Sequence, residues 1–135
     1  MSAEAIIGIV GLFIVGVTLL VVLYRKAPKR VKRIKYTKKW RDIQQLCIKS
    51  SNWPQAIMLA DQLLDNVLKK RNKVGKTMGE RMVSAQNDFS NNDAVWQAHK
   101  FANHIRHTND ESLQETDVKA ALIAFRQALR DLGAL

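Results

Sequence analysis

The stretch Ala5–Tyr24, AIIGIVGLFIVGVTLLVVLY, decides the architecture of this 135-residue chain. Its twenty residues carry no charge. At about 1.5 Å of rise per residue they make a helix roughly 30 Å long, the thickness of a bilayer's hydrocarbon core. There, every backbone amide and carbonyl must be satisfied internally, which a helix achieves within one segment. The one polar side chain, Thr18, can bond back to its own helix. A secretory leader starts with basic residues and has a shorter apolar run. Here the start is MSAE, and the basic residues follow the run. The reading is a transmembrane helix over residues 5–24, with residues 1–4 as a short external N-terminus. Gly8, Gly11 and Gly16 lack GxxxG spacing, so the span shows no motif for self-association.

The charge distribution sets the orientation. Lys and Arg total 22 against 12 Asp and Glu, a formal net charge of +10. Ten of the bases lie within residues 25–41, with no acid among them: Arg25, Lys26, Lys29, Arg30, Lys32, Arg33, Lys35, Lys38, Lys39 and Arg41. Positive residues beside a span stay in the cytoplasm. The N-terminus is therefore expected outside the cell membrane and the rest of the chain inside. Arg25, Lys26, Lys29, Arg30, Lys32, Arg33 and Lys35 are expected to meet anionic lipid headgroups, at about 1 kcal/mol per basic residue near the surface. A nucleic-acid contact is the competing reading of such a block. Its position beside the span favours lipid. Pro28 is expected to end or bend the span helix.

Beyond Tyr36 the apolar period is 3.6. Tyr36, Trp40, Ile43 and Cys47 form a first stripe. Ser51-Asn52-Trp53-Pro54 interrupts it, Asn52 being a good N-cap and Pro54 suited to a first turn. Ala56, Ile57, Ala60, Leu63, Leu64, Val67 and Leu68 make the second stripe, and Lys69, Lys70 and Arg71 match the negative end of its helix. Gly75 and Gly79 mark a turn or helix start before a shorter stripe of Met78, Met82, Ala85 and Phe89. After a polar loop, Ser90 to Asp93, a fourth helix runs from about Asp93 to His107, and Thr108-Asn109-Asp110 breaks it. Ser112 or Thr116 is expected to cap a last helix bearing Val118, Ala121, Leu122, Phe125, Ala128, Leu129 and Leu132, closed by Gly133. The expected fold is all-α: the transmembrane helix, a basic juxtamembrane segment at residues 25–41, and a compact cytoplasmic bundle of about five short helices over residues 42–135. The lone Cys47 reads as a small buried apolar group. Nothing calls for a cofactor.

The fourth helix holds all three histidines, in Trp96-Gln-Ala-His99-Lys-Phe-Ala-Asn103-His104-Ile-Arg106-His107. At about 100° per residue, Ala98, Phe101, Ala102 and Ile105 point into the bundle. Trp96, Asn103 and His107 point outward with Lys100 beside them, and His99 and Arg106 lie on the margin. Trp96, His99, Lys100, Asn103 and His107 are accordingly the expected partner-binding residues, because a tryptophan on a polar face is a natural anchor. His104 and His107 are spaced for a metal, but zinc needs at least three protein ligands and no third is apparent. His107 with Asn103 and Arg106 is the set an acid–base nuclease would use.

The segment Ala102-Asn103-His104-Ile105-Arg106-His107, ahead of a final amphipathic helix, resembles the HEPN superfamily (higher eukaryote and prokaryote nucleotide-binding) over roughly residues 42–133. That family's hallmark is Arg-Asn-x-x-x-His. Asn103 and His107 match it, while Ala102 stands where the family has arginine. The resemblance implies a member without catalysis, since ribonucleases of the family use that arginine as the phosphate-holding cation. The whole chain also resembles uncharacterised single-span membrane proteins of bacteria. The resulting expectation is a membrane-anchored, non-catalytic interaction module that binds a protein partner or a second copy of itself. A tethered HEPN-type RNase or nucleotide-binding domain and a structural subunit of a membrane assembly are the alternatives.

Overall fold

The computed structural model describes residues 2–26, 32–109 and 112–135. Its elements are α1 (Ala3–Lys26), α2 (Arg33–Leu46), a 3₁₀ turn (Ser50–Asn52), α3 (Trp53–Lys70), α4 (Met78–Ser84), α5 (Asn92–Thr108) and α6 (Glu115–Asp131). Among the described residues there is no strand. Pro28, Lys29 and Arg30 fall outside them, as do Asp110 and the Lys26 side chain.

α1 is apolar on every side from Ala5 to Tyr24, and none of the described residues covers it. Leu12 and Phe13 are 76% and 73% exposed, and no described α1 side chain is buried. Length and composition make this helix able to cross a membrane. Thr18 donates its hydroxyl to the carbonyls of Ile14 (3.0 Å) and Val15 (2.9 Å), so the one polar side chain is satisfied within its own helix.

The other five helices enclose one core. α3 is its centre, packing against α2, α4, α5 and α6. Its whole stripe from Ala56 to Leu68 is sealed, facing Met82 of α4, Val95 and Ile105 of α5, and Phe125 and Leu129 of α6. α5 packs most extensively on α6. Ala98 and Ala102 on one helix and Ala121, Ala124 and Ala128 on the other are all buried, and their small side chains allow close backbone approach. Truncating a sealed leucine such as Leu64 to alanine typically costs about 2–5 kcal/mol.

Three features differ from expectation. The division at residues 41/42 cuts through α2. Tyr36, Trp40 and Ile43 of that helix are core, while Lys35, Lys38, Lys39 and Arg41 are its solvent face. The basic run therefore marks the outside of the bundle's first helix, and the packed unit starts near Arg33. Asn52 does occupy the N-cap position of α3, but its side chain makes no capping bond. The 3₁₀ turn leads the chain in, and Trp53 Nε1 holds it by donating to the Cys47 carbonyl at 3.0 Å. The N-cap of α6 is Gln114, so neither Ser112 nor Thr116 fills it.

Elsewhere the caps follow side-chain chemistry. Asn91 Oδ1 accepts from Ala94 N–H (3.1 Å) at the start of α5, and Thr77 Oγ1 from Glu80 N–H (3.2 Å) at the start of α4. α6 ends on Gly133 at φ +73°, where Gly133 N–H bonds Arg130 O and Ala134 N–H bonds Leu129 O, both at 2.8 Å. α3 ends in the same way with Asn72 at φ +54°. Asn72 N–H bonds Lys69 O and Lys73 N–H bonds Leu68 O, both at 3.0 Å.

Candidate functional site

The residue that organises the site is Asp61. It lies on α3 four residues after Ile57 and three before Leu64, so helical geometry places it on the edge of the buried stripe. It is 2% exposed. A carboxylate so buried is stable only if its charge and lone pairs are answered. α5 answers them with His99, Asn103 and Arg106, which follow one another on successive turns of one flank.

The bonds close a ring. Arg106 Nη2 donates to Asp61 Oδ2 at 3.2 Å, and Arg106 Nη1 donates to Asn103 Oδ1 at 2.5 Å. The second bond turns the Asn103 amide so that Nδ2 faces His99 Nε2, at 3.2 Å. Nε2 is then an acceptor, and the ring proton sits on Nδ1, which donates to Asp61 Oδ1 at 2.7 Å. Together these bonds tie α3 to α5. His99 Nε2 thus has Asn103 as its partner within the ring.

One turn further along α3, Asp65 performs the same service for α4. Arg81, 7% exposed, places Nε at 2.8 Å and Nη2 at 2.6 Å from Asp65 Oδ1, and Lys69 Nζ reaches Oδ2 at 2.8 Å. Arg81 Nη1 also donates to Gly75 O at 2.9 Å. Gly75 itself, at φ +153°, leaves no room for a side chain, since a Cβ there would lie 2.6 Å from Arg81 N and Glu80 Cβ. Between the two charge clusters opens a cleft of about 720 Å³ bounded by α3, α4 and α5. Gln62, Met58, Thr77 and Met78 form its walls, with Asp61, His99, Asn103 and Arg106 at one end.

Of the five expected partner-binding residues, the structure brings His99 and Asn103 together and leaves Lys100 and His107 exposed beyond the cleft lining. Trp96 does not stand out from a polar face. It is half-buried against the core, 3.6 Å from where a Cβ on Gly79 would lie, with its ring edge-on to His99 at 6.1 Å between centroids. The ring lies beside Gly79 of α4 at a distance that ordinary van der Waals contact allows. Of the nuclease set, Asn103 and Arg106 share the ring, and His107 is not part of it. Ala102, which stands at the arginine position of the HEPN hallmark, is fully buried and faces away from the cleft lining. Among the described residues no three His, Cys, Asp or Glu side chains converge to hold a metal. Cys47 is half-buried, burial pushes its thiol pKa up, and Sγ donates to Ile43 O at 3.3 Å.

Of the expected basic headgroup contacts, Lys32, Arg33 and Lys35 are exposed around the start of α2, and Arg25 is exposed at the end of α1. Arg33 Nη2 donates to the Leu135 carbonyl at 2.9 Å, so the last residue of the chain sits beside the start of α2.

Reading the sequence for an exposed anchor missed Asp61, Asp65 and Arg81. A signal was present: an aspartate at a position flanked by apolar residues at i−4 and i+3 calls for a buried partner. Comparison with protein-family models, with curated proteins and with solved structures finds no match to this chain.

Proposed function

We propose that this is a single-pass membrane protein whose helical domain lies at the cytoplasmic face of the cell membrane and acts as a non-catalytic binding module for a protein partner or a second copy. The observation that supports the anchor is α1 itself: a 24-residue apolar helix, exposed all round, in a chain whose remaining helices already close their own core. The basic residues from Arg25 onward support the orientation through the positive-inside rule and favour contact with anionic headgroups. The non-catalytic reading rests on the ring, whose acidic, basic and amide groups are occupied by one another. The cleft between α3, α4 and α5 is the docking place. In this reading Asn103 and His99 line the end of the cleft, and Trp96, Lys100 and His107 belong to the same helix outside its lining.

The test is a pull-down of the full chain from detergent-solubilised membranes, with and without nuclease treatment. The expected result is a partner, another protein or a second tagged copy, that survives nuclease and is lost when exposed Gln62 on the cleft wall is changed to Trp. Metal-independent RNA cleavage by the wild type, abolished by His99→Ala or His107→Ala, would replace this reading with the HEPN-type nuclease. That second reading draws on Arg106 and the Asp61–His99 pair facing an open cleft. A partner lost only when α1 is replaced by an unrelated apolar span would instead mark a structural subunit of a membrane assembly.

A further inference from the structure

A second concave site lies at the end of the bundle where the chain enters it. The first turns of α2 run beside the last turns of α3. Lys35 and Lys39, one turn apart on α2, and Lys69 and Lys70, in the last turn of α3, surround a groove of about 450 Å³ that Asn66 and Asn72 also line. Among the described residues no carboxylate lines it. Lys69 is shared with Asp65, and among the described residues Lys35, Lys39 and Lys70 form no ion pair. Lysines at a helix C-terminus often serve its carbonyls. Here the carbonyls of Val67, Leu68 and Lys69 are already taken by the N–H groups of Arg71, Lys73 and Asn72. Lys35, Lys39 and Lys70 are therefore exposed without a carboxylate partner among the described residues, Lys69 being held by Asp65, and Asn66 and Asn72 add amides to the lining.

Exposed lysines lining a concave surface complement a multiply charged oxyanion such as phosphate. The chain restricts where that phosphate lies. α1 ends at Lys26 and α2 starts at Arg33, seven residues on, so the start of α2 lies within about 25 Å of the end of α1 along the chain. We infer that the groove seats an anionic lipid headgroup, its phosphate together with the net negative charge that a zwitterionic lipid lacks, and so orients the bundle against the bilayer. The inference rests on the membrane reading for the source of the phosphate only. It adds residues of α3, distant in sequence from the basic run, to the lipid-contacting surface.

The test uses the full chain in phosphatidylcholine nanodiscs with and without phosphatidylserine. Acylation rates of Lys39, Lys69, Lys70 and, as control, Lys119 are read by peptide mass spectrometry. Lys119 is 68% exposed and sits in the first turns of α6. Phosphatidylserine should slow the reaction of Lys39 and Lys70 about fivefold, the factor matching a basic residue held at an anionic surface, and leave Lys119 unchanged. Lys69 should be slowed with them in the wild type, and in the double variant Lys39→Gln/Lys70→Gln, whose positions are exposed, it should react at the same rate in both discs. Equal rates at Lys39 and Lys70 in both discs would overturn the inference. So would equal protection by inorganic phosphate added to neutral discs, which would assign the groove to a free anion, or stronger protection by an oligoribonucleotide. Chain stripped from neutral discs by alkaline carbonate would refute the membrane reading. The groove would then be judged by the same lysine rates on adding phosphatidylserine vesicles.

Discussion

Asp61 and Arg106 make unequal demands on their surroundings. Removing Arg106 leaves a carboxylate that is 2% exposed with only the His99 N–H to answer it. Removing the charge of Asp61 leaves a guanidinium whose side chain is 43% exposed and can turn to water. Arg106→Ala should therefore destabilise the bundle by about 3 kcal/mol, within the range for stranding a buried charge. Asp61→Asn should cost about 1–2 kcal/mol, the price of an imperfect hydrogen bond. Urea denaturation of both variants checks the order, and an Asp61→Asn cost exceeding that of Arg106→Ala would contradict the ring as described. Asp131 supplies a pH test. Burial pushes its carboxyl up, but hydrogen bonds from the Ser90 backbone N–H, the Gln127 amide and the Ser90 hydroxyl outweigh that and hold it below the usual range. A depressed carboxyl stabilises the fold above its unfolded pKa of about 3.9 and loses that contribution as pH falls through its folded value. Asp131→Asn should thus lower stability at pH 7 and flatten the acid limb of the stability profile. An acid limb of unchanged steepness would show that Asp131 is not one of its causes. Residues that act through distant partners were the least legible in the sequence. Asp61 was visible as an oddity in an apolar stripe, but its partners lie 38 and 45 positions away, and no local pattern names them. Trp96 reads as outward on α5, yet it is half-buried against the core, because a neighbouring helix covers it and no local spacing shows that helix.

Elements whose identity depends on their own residues were read well. α3 and α6 follow from apolar spacing alone, because each turns a continuous stripe onto one core. The Gly133 stop is also local, and it forms, while the polar loop from Ser90 to Asp93 supplies the cap of α5 through Asn91. Gly133 at φ +73° occupies a conformation that costs an L-residue about 1–2 kcal/mol. Gly133→Ala should lower stability by about that amount in thermal melts, and an unchanged midpoint would mean the α6 terminus relaxes into another cap. α2 was misjudged at its start. A run of lysines reads as solvent-facing, which it is, but charge shows which face is outward and not where a helix begins. Tyr36 and Trp40, spaced four apart within that run, were the better guide to its packing.

At the scale of the whole molecule, two surfaces with opposite chemistry are joined by a short segment: an apolar rod and a folded bundle with a basic end. The bundle closes its core without α1, so residues 32–135 should be soluble, helical by circular dichroism and cooperative in unfolding. Phe125→Asp, placing an unpaired charge at a sealed site, should abolish that folding. An unstructured fragment would mean that the core needs the anchor. The proposal that gives the molecule its role is that α1 spans a membrane with the bundle on the inner side, and protease protection in sealed, right-side-out membrane vesicles tests it most directly. The expected result is that the bundle stays with the vesicles after alkaline carbonate washing and is cut only once detergent opens them. Loss of the bundle to protease in intact vesicles, or its release by carbonate, would contradict the account.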